Sequence, residues 1–206
     1  MGSSFHLEGI PYADAAYPQV METYDAIMTR RSVGKTTGER PDKDVILKLI
    51  RAAVAAPNHH LTEPWRFVVL SGSALEEFGD AWATGAEREG KDPTRVKEKA
   101  SRAPVIIAVI EKPKGHLPKV TEIEEHHAVG AAMQNALLAA HEMGLAAMLR
   151  TGPAAHIKEC HDFLELGDDE LVAGYIYVGF PPEGFEPRAP RKTPAEELTE
   201  WRGWDE

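Results

Sequence analysis

Hydrophobic and polar positions along the chain follow two spacings, one typical of helices and one typical of strands. Apolar residues three and four positions apart predict helices at residues 21–29, 42–56, 74–89, 93–101 and 155–164. Short apolar or β-branched runs predict strands at residues 66–70, 104–110, 145–149 and 171–178. The run at 104–110 has no polar alternation, which is typical of a central strand covered on both faces.

The longest regular segment, residues 125–143, is apolar on nearly all sides. It contains the run AVGAAMQNALLAA, in which small residues dominate, and Gly144 follows where a helix would end. The segment is too short to span a bilayer. We predict a buried helix in a protein core or in a subunit interface, because Ala and Gly at close spacing allow another backbone to approach.

Helices and strands interleave, but the segments that join the strands differ greatly in length. This favours an α+β fold with a mixed central sheet wrapped by helices over a regular doubly wound fold. We predict an N-terminal arm at residues 1–20, the α+β domain at 21–180 and a C-terminal extension at 181–206. Trp201 and Trp204 are too apolar for a solvated tail, so we expect the extension to lie along another surface.

Composition narrows the possible functions. The 206 residues include 33 acidic and 23 basic side chains, a formal net charge of −10, which disfavours a nucleic-acid binder. The single cysteine, Cys160, excludes an internal disulfide and a thiolate cluster for zinc, so a reducing compartment fits best. The first twenty residues contain no apolar run of signal-peptide length, and no segment elsewhere approaches the length of a membrane span. We therefore expect a cytoplasmic protein without a membrane partner.

Residues 30–32, Arg-Arg-Ser, concentrate positive charge locally in this acidic chain. Two guanidiniums and a hydroxyl at the end of a helix are donors suited to a phosphate dianion. The alternative is an exposed basic helix end that interacts favourably with the helix dipole.

A second candidate is Asn58-His59-His60, which follows the helix-ending Pro57. Imidazoles can act as acid or base, bind a metal, or form hydrogen bonds with a heteroaromatic ring. The alternative is an ordinary surface turn. Adjacent His side chains point in different directions, and the chain has no His-Glu-x-x-His pattern, so we predict no metal site. The histidines of the buried helix are then solvated or satisfied within the core: His126, His127 and His141.

Further cations follow a strand and lie in the extension. Leu149, Arg150 and Thr151 come directly after a predicted strand, where loops present side chains to ligands. Arg191 and Lys192 can reach the same anion if the extension folds back. Neither a G-x-G-x-x-G fingerprint nor a Walker A pattern is present.

Taken together, these motifs resemble the nitroreductase family of FMN-dependent oxidoreductases. The resemblance covers about residues 21–201 and keeps the family's order. It rests on RRS, AAPNHHLTEPWRFVV, PVIIAVI, GAAMQNALLAAHEMGL, LRTG, YIYVGF and RKTPAEEL. Each motif is weak evidence alone, whereas the ordered set is specific. The PNHH form is similar to a subgroup of compact members.

The resemblance implies an intertwined α+β homodimer with two flavin sites in the subunit interface, each lined by both chains. The segment with His59 would approach the flavin from the partner subunit, and Arg191, with Lys192, would complete the phosphate site. The cofactor-binding residues that the resemblance implies are Arg30, Arg31, Ser32, Asn58, His59, His60, Leu149, Arg150, Thr151 and Arg191.

Two positions depart from the family pattern. Gly34 stands where many members have a basic residue, and Glu63 stands where a Gln is frequent before Pro-Trp. In the implied dimer, Trp201 and Trp204 would anchor the extension on the other subunit. The buried helix would pack against its two-fold copy through small residues, namely Gly130, Ala131 and Ala132.

The resemblance also implies an enzyme that takes hydride from NAD(P)H and reduces a small-molecule acceptor, such as a nitroaromatic or a quinone, in a ping-pong cycle. No catalytic side chain is implied, because FMN carries the chemistry while the protein orients it. Two alternatives stay open. One is a non-catalytic flavin-binding or storage protein, and the other is another flavin reaction on the same scaffold, such as dehalogenation or flavin destruction.

Overall fold

The computed structural model describes residues 21–115, 117–186 and 194–204. The helices are α1 (Thr23–Thr29), α2 (Lys43–Val54), α3 (Ser73–Arg88), α4 (Pro93–Ala100), α5 (Glu122–Glu142) and α6 (Lys158–Phe163). The strands are β1 (Trp65–Ser71), β2 (Val105–Glu111), β3 (Ala146–Arg150) and β4 (Leu171–Gly179). Short 3-10 turns lie at His59–Leu61, Pro153–His156 and Ala195–Leu198.

The spacing of apolar residues predicted these elements. At two helix ends the observed structure differs from the prediction. The helix expected at 155–164 is divided at Ile157, whose extended backbone (ψ 125°) separates a 3-10 turn from α6. The buried helix begins earlier than its apolar run because Thr121 caps it. The Glu124 carboxylate accepts hydrogen bonds from the Thr121 backbone N–H at 2.9 Å and from its hydroxyl at 2.8 Å.

The sheet has the strand order β1-β2-β4-β3, and the α+β class is confirmed. The expected mixed sheet is corrected in one respect, since all strand pairs within the described residues are antiparallel. Two helices, α3 and α4, connect β1 to β2. The chain re-enters the sheet at the same end at which β1 leaves it, so the two strands are antiparallel. The single helix α5 makes β2 and β3 run in the same direction, but β4 lies between them.

Both faces of the sheet are covered, as the apolar run at β2 predicted. Every residue of β2 is buried. Ile106, Ala108 and Ile110 belong to a core that includes residues of α3, α4 and α6. The alternating positions Val105 and Ile107 belong to the opposite core, which includes α2 and α5.

Helix α5 packs onto its neighbours through a stripe of alanines four residues apart. Ala128, Ala132, Ala136 and Ala140 are each at most 4% exposed. The prediction of a buried helix is thereby confirmed. Ala132 packs inside the chain's own core, so its expected contact across a two-fold axis is wrong, whereas Gly130 is exposed and open space surrounds it.

Residues 194–204 of the C-terminal extension are exposed. Leu198, Trp201 and Trp204 are 77%, 64% and 75% exposed, and the two indole rings lie 5.1 Å apart. The N-terminal arm at residues 1–20 lies outside the described residues. Among the described residues, no helix combines the length and the apolar character that crossing a membrane requires.

The contact between α3 and the segment before α6 depends on Gly85. A Cβ at this position would lie 2.2 Å from Ile157 Cγ2 and 2.6 Å from Glu159 Oε2. We expect Gly85→Ala to lower the free energy of unfolding by about 1–3 kcal/mol, because α3 and Ile157 have to move apart. Urea denaturation followed by circular dichroism measures this loss.

Gly79, on the same helix, is the matched control. A Cβ there would have its nearest neighbours at 3.4 Å, an ordinary contact. Gly79→Ala should therefore gain about 0.5–1 kcal/mol from the lower flexibility of the unfolded chain. Equal unfolding midpoints for the two variants would contradict the packing described for Gly85.

Candidate functional site

The arginine segment, residues 30–34, follows α1 and runs beside the outer edge of β3. The Arg30 N–H donates to the Ala26 carbonyl at 3.0 Å, which closes the helix. Arg31 Nη1 donates to the carbonyls of Met28 at 2.9 Å and of Arg30 at 2.6 Å. The Val33 N–H donates to the Ala147 carbonyl at 2.9 Å, which ties the segment to β3. Ser32, between them, is exposed.

Arg150, the last residue of β3, extends its side chain toward this segment. Its guanidinium carbon lies 5.1 Å from the centroid of the Tyr177 ring. Its Nε is buried and has no hydrogen-bond partner among the described residues. Leu149 packs against the α2–α5 core on the opposite face, and Thr151 is exposed.

The geometry explains the departure at Gly34. A Cβ at Gly34 would lie 3.0 Å from Met148 Sδ and 3.5 Å from Arg150 Nη2. The space beside Gly34 is therefore taken by side chains from β3, and one of them is a cation. Arg150 thus places a positive charge next to the position where the family pattern has a basic residue.

His141, in the last turn of α5, contacts the end of α1 where the arginine segment begins, a position that sequence reasoning did not assign to it. Its Nε2 lies 2.9 Å from Thr29 Oγ1, in the last turn of α1. Burial, followed by the charges of Arg30 and Arg31, lowers its pKa. Its position at the end of the helix, at the level where the arginine segment starts, becomes apparent only once α1 and α5 are packed together.

The histidine loop, residues 57–63, joins α2 to β1 and contacts the other end of α5. Asn58 organises the loop, since its Oδ1 accepts from the Glu63 N–H at 2.9 Å and its Nδ2 donates to the Ala56 carbonyl at 3.3 Å. The rings of His59 and His60 lie 4.2 Å apart, edge to face. Both histidines are exposed.

The histidine loop has a strained backbone. His60, Leu61 and Glu63 have φ values of 52°, 53° and 46°, in the left-handed region that non-glycine residues seldom adopt. Thr62, between them, is 8% exposed, and its hydroxyl has no hydrogen-bond partner among the described residues. Strain and unpaired polar atoms are typical of segments whose conformation serves binding.

The N-terminal end of α5 faces the loop with the carboxylate of Glu124. His59 Nε2 lies 3.7 Å from Glu124 Oε1. The hydroxyl and N–H of Thr121 lower the pKa of Glu124, so this carboxylate is ionised beside the imidazole at neutral pH.

The arginine segment and the histidine loop lie at opposite ends of α5. Glu124 and His141 are separated by a helical rise of about 25 Å. Arg30, Arg31, Ser32 and Arg150 therefore share one region, while Asn58, His59 and His60 occupy another. Arg191 and Lys192 lie outside the described residues.

Protein nucleophiles and metal ligands are not assembled within the described residues. Cys160 is buried, and desolvation raises the pKa of its thiol to about 12, which keeps it protonated. In the described ranges, no cluster of three or more His, Cys, Asp or Glu side chains has the arrangement of a metal site.

Residues 27–180 match the family model described as the nitroreductase family. The chain belongs to the nitroreductase family. Among its relatives, YfhC of Bacillus subtilis, named as a candidate NAD(P)H nitroreductase, is 29% identical over 176 residues, which cover 82% of this chain and 89% of YfhC.

Two further relatives of this nitroreductase-family chain differ in what their names describe. Iodotyrosine deiodinase 1 of Sus scrofa is 28% identical over an alignment of 228 positions, which covers 92% of this chain and 74% of the deiodinase. The structure of a candidate nitroreductase from Desulfovibrio desulfuricans in complex with FMN is 26% identical, with a TM-score of 0.70. It covers 87% of this chain and 96% of that protein.

A buried carboxylate anchors the N-terminal turn of α5 and makes stability depend on pH. His126 Nδ1 lies 2.6 Å from Oε1 of the buried Glu111. Pairing with Glu111 raises the pKa of His126, while burial raises the pKa of Glu111. The stabilisation from protonated His126 is fully present below its unfolded-state pKa of about 6.5 and is lost as pH rises through its folded-state pKa.

We expect Glu111→Gln to flatten this dependence, because His126 loses its charged partner and the carboxyl at position 111 no longer titrates. Between pH 6 and pH 8, the free energy of unfolding of the wild-type protein should fall by about 1 kcal/mol at most through this pair, since the imidazole is 38% exposed. Urea midpoints at the two pH values measure the difference. Glu122→Gln, which removes the exposed second partner of His126 at 3.5 Å, is the control. Its stability should still fall between the two pH values by most of the wild-type amount. A Glu111→Gln protein with the full wild-type pH dependence would refute the assignment.

Proposed function

We propose that this chain is an FMN-dependent oxidoreductase that takes hydride from NAD(P)H and reduces nitroaromatic, quinone or related acceptors in a ping-pong cycle. The observation that carries the proposal is the Arg150 guanidinium. Its Nε is buried beside the arginine segment without a hydrogen-bond partner among the described residues. Leaving a buried charged donor unpaired costs about 1–3 kcal/mol or more, which a bound anionic ligand would recover.

The residues present fit FMN. Its phosphate carries close to two negative charges, and a chain with a net charge of −10 has to concentrate cations to bind it. Arg30, Arg31 and Arg150 do so at the edge of β3, and the exposed hydroxyls of Ser32 and Thr151 add neutral donors. Arg191 and Lys192 would complete the phosphate site. Support also comes from the solved relative in complex with FMN and from the NAD(P)H-related name of YfhC.

The side chains of this protein then serve binding and orientation. FMN held at this site would supply the chemistry of hydride transfer from NAD(P)H and two-electron reduction of the acceptor. Arg150 is held in place by the Tyr177 ring, which limits how far its charge can move. The histidine loop is fixed by Asn58 and presents the imidazoles of His59 and His60. Because the Cys160 thiol stays protonated, the proposal assigns it no chemical role.

The site is completed by a second copy of the chain. The arginine segment and the histidine loop lie about 25 Å apart along α5 within one chain, so one small ligand does not contact both. A two-fold arrangement of α5 helices would bring the histidine loop of one subunit to the arginine segment of the other. The exposed Trp201 and Trp204 are suited to anchor the extension on that second subunit.

A second candidate is reductive dehalogenation, which the similarity to iodotyrosine deiodinase favours. Release of iodide from diiodotyrosine by the NAD(P)H-reduced or dithionite-reduced protein would distinguish it from nitroaromatic or quinone reduction.

The function is tested by mixing FMN-loaded protein with NADH or NADPH in the absence of oxygen. We expect the absorbance of the oxidised flavin to disappear and to return when a quinone or a nitroaromatic is added. A flavin absorbance that neither coenzyme changes would exclude the proposed reaction and would leave a flavin-storage role.

The cation site is tested in the same preparation. Arg150→Gln should raise the Kd for FMN about ten- to a hundredfold, because a charge-assisted hydrogen bond of about 1.5–3 kcal/mol is lost. Arg51→Gln, on an exposed position of α2, is the control and should leave the Kd unchanged. Fluorescence quenching of FMN measures both.

The shared site predicts that two defective chains complement each other. One variant carries Arg30→Gln with Arg150→Gln, and the other carries Asn58→Ala with His59→Ala. Each alone should bind FMN poorly. After unfolding and refolding as an equal mixture, about a quarter of the sites should regain wild-type affinity, since each mixed dimer contains one intact site.

Each variant refolded by itself is the control for this recovery. Capture through a tag on one chain establishes that mixed dimers have formed. Mixed dimers that bind no more FMN than the parent variants would mean that the arginine segment and the histidine loop do not share a site.

A further inference from the structure

Glu111, the last residue of β2, is a buried carboxylate without a role in the proposed function. It is 2% exposed, and its Oε1 lies 2.6 Å from Nδ1 of His126, near the start of α5. In the sheet, Glu111 pairs with Trp65, the first residue of β1, and the histidine loop ends two positions before Trp65. The side chain of Glu111 therefore connects α5 to the strand that continues the histidine loop.

The backbone that follows Glu111 is held from both sides. The Lys112 N–H donates to the Pro64 carbonyl at 3.0 Å, directly after the histidine loop. Further along, the Lys114 N–H donates to both carboxylate oxygens of Glu125 on α5, at 2.8 and 2.9 Å. Glu125 is 1% exposed, so this second anchor is also buried. The end of β2 thus links the exit of the histidine loop to α5.

The histidine loop depends on this link because its own backbone is strained. Three of its non-glycine residues have positive φ values. The direct contact of the loop with α5 joins His59 to Glu124 at 3.7 Å, between two exposed side chains, and such contacts contribute little. The contact between Glu111 and His126 is shorter, and its carboxylate is buried.

We propose that Glu111 and His126 are positioning residues of the flavin site, and that the charge on His126 determines how firmly the histidine loop is held against α5. The inference rests on the proposed function, in which this loop approaches the flavin of the second subunit. Neither residue is assigned a contact with the flavin, because both act through the backbone of the loop.

On the helix side, two carboxylates surround the pair. Glu122 lies 3.5 Å from His126 Nε2 on the exposed side of α5. The buried Glu125 acts on Glu111 and disfavours its charged form. His126 is the cation with the largest effect on Glu111, so the charge of this imidazole decides whether the buried carboxylate is compensated.

On the other sides, the charged groups have different partners. Arg66 of β1 pairs with Glu170, before β4, and Lys112 also acts on Glu170. The imidazoles of the histidine loop act on Glu124. None of the charged side chains of α2, all of which the structure describes, is among the groups that act most strongly on Glu111 or His126.

The direction of the pH dependence follows from the pair. The carboxylate of Glu111 raises the pKa of His126 above its usual value, so the ion pair persists below that folded-state pKa. As pH rises through it, His126 loses its proton and Glu111 remains as a buried carboxylate without its cation, which is costly. The histidine loop should therefore loosen at alkaline pH.

The test is hydrogen exchange of the histidine loop at pH 6.5 and pH 8.5, expressed relative to α3 in the same sample so that the intrinsic pH dependence of exchange cancels. The Glu63 N–H is held by Asn58 Oδ1 at 2.9 Å and the Trp65 N–H by the Glu63 carbonyl at 2.8 Å, so the region has protection to lose. In the wild-type protein, the relative exchange rate should be about threefold or more higher at pH 8.5.

Two variants remove the titration from opposite partners. Glu111→Gln and His126→Gln should each exchange in the histidine loop at the fast, alkaline wild-type rate at both pH values, since neither can form the ion pair. Glu122→Gln removes the exposed carboxylate on the same face of α5 and is the matched control, which should behave as wild type.

A second readout connects the loop to the flavin. The FMN phosphate itself titrates at a pKa of about 6, so Kd values are compared between proteins at the same pH. The Kd of Glu111→Gln for FMN, measured by flavin fluorescence, should exceed the wild-type value about threefold or more at pH 6.5, and the two values should converge at pH 8.5.

The outcomes separate this inference from the proposed function. A relative exchange rate of the loop that is constant with pH in the wild-type protein, or equal pH dependence in wild type and both variants, would overturn the inference and leave the proposed function intact. A ratio of Kd values that does not change with pH would do the same. A folded wild-type protein that binds no FMN at either pH would overturn both.

Discussion

The close packing of α5 against the sheet determines where every candidate binding residue lies. A stripe of alanines, four residues apart, lets the helix axis approach β2 and β4 more closely than larger side chains would. Because the helix is 21 residues long, its first turn meets the histidine loop and its last turn meets α1. The separation of the two candidate regions is therefore a direct consequence of the length of one rigid helix.

The charge distribution distinguishes arginines that pair with carboxylates of this chain from Arg150, which stacks on an aromatic ring. Arg66 and Arg88 each face a carboxylate on another element, Glu170 at 2.6 Å and Glu159 at 2.9 Å. Arg150 instead stacks on Tyr177, and its buried Nε has no hydrogen-bond partner among the described residues. In a chain with a net charge of −10, a cation held in this way marks a place where an anion is expected to bind.

The histidine loop contributes shape and polarity instead of charge. Three non-glycine residues with positive φ would not persist in an unsupported turn, and the side chain of Asn58 supplies the support. The loop therefore presents His59 and His60 in a defined orientation before any ligand or partner arrives, which lowers the entropy lost on binding. In the proposed function, the histidine loop and the partly buried Arg150 belong to two different half-sites, and a second subunit would complete each of them.

The amino-acid sequence by itself determined the helices and strands, the burial of β2 and α5, and membership of the nitroreductase family. These depend on local periodicity and on ordered motifs, which a single chain displays in full. The sequence did not determine that every described strand pair is antiparallel, because this depends on how the connection through α3 and α4 brings the chain from β1 back to β2. The sequence also did not predict that Ala132 packs in the core or that Arg150 lies next to Gly34. His141 is the clearest case, because 110 positions separate it from Arg31 in the sequence, and only the packing of α1 on α5 brings an ordinary helix histidine under the influence of the arginines.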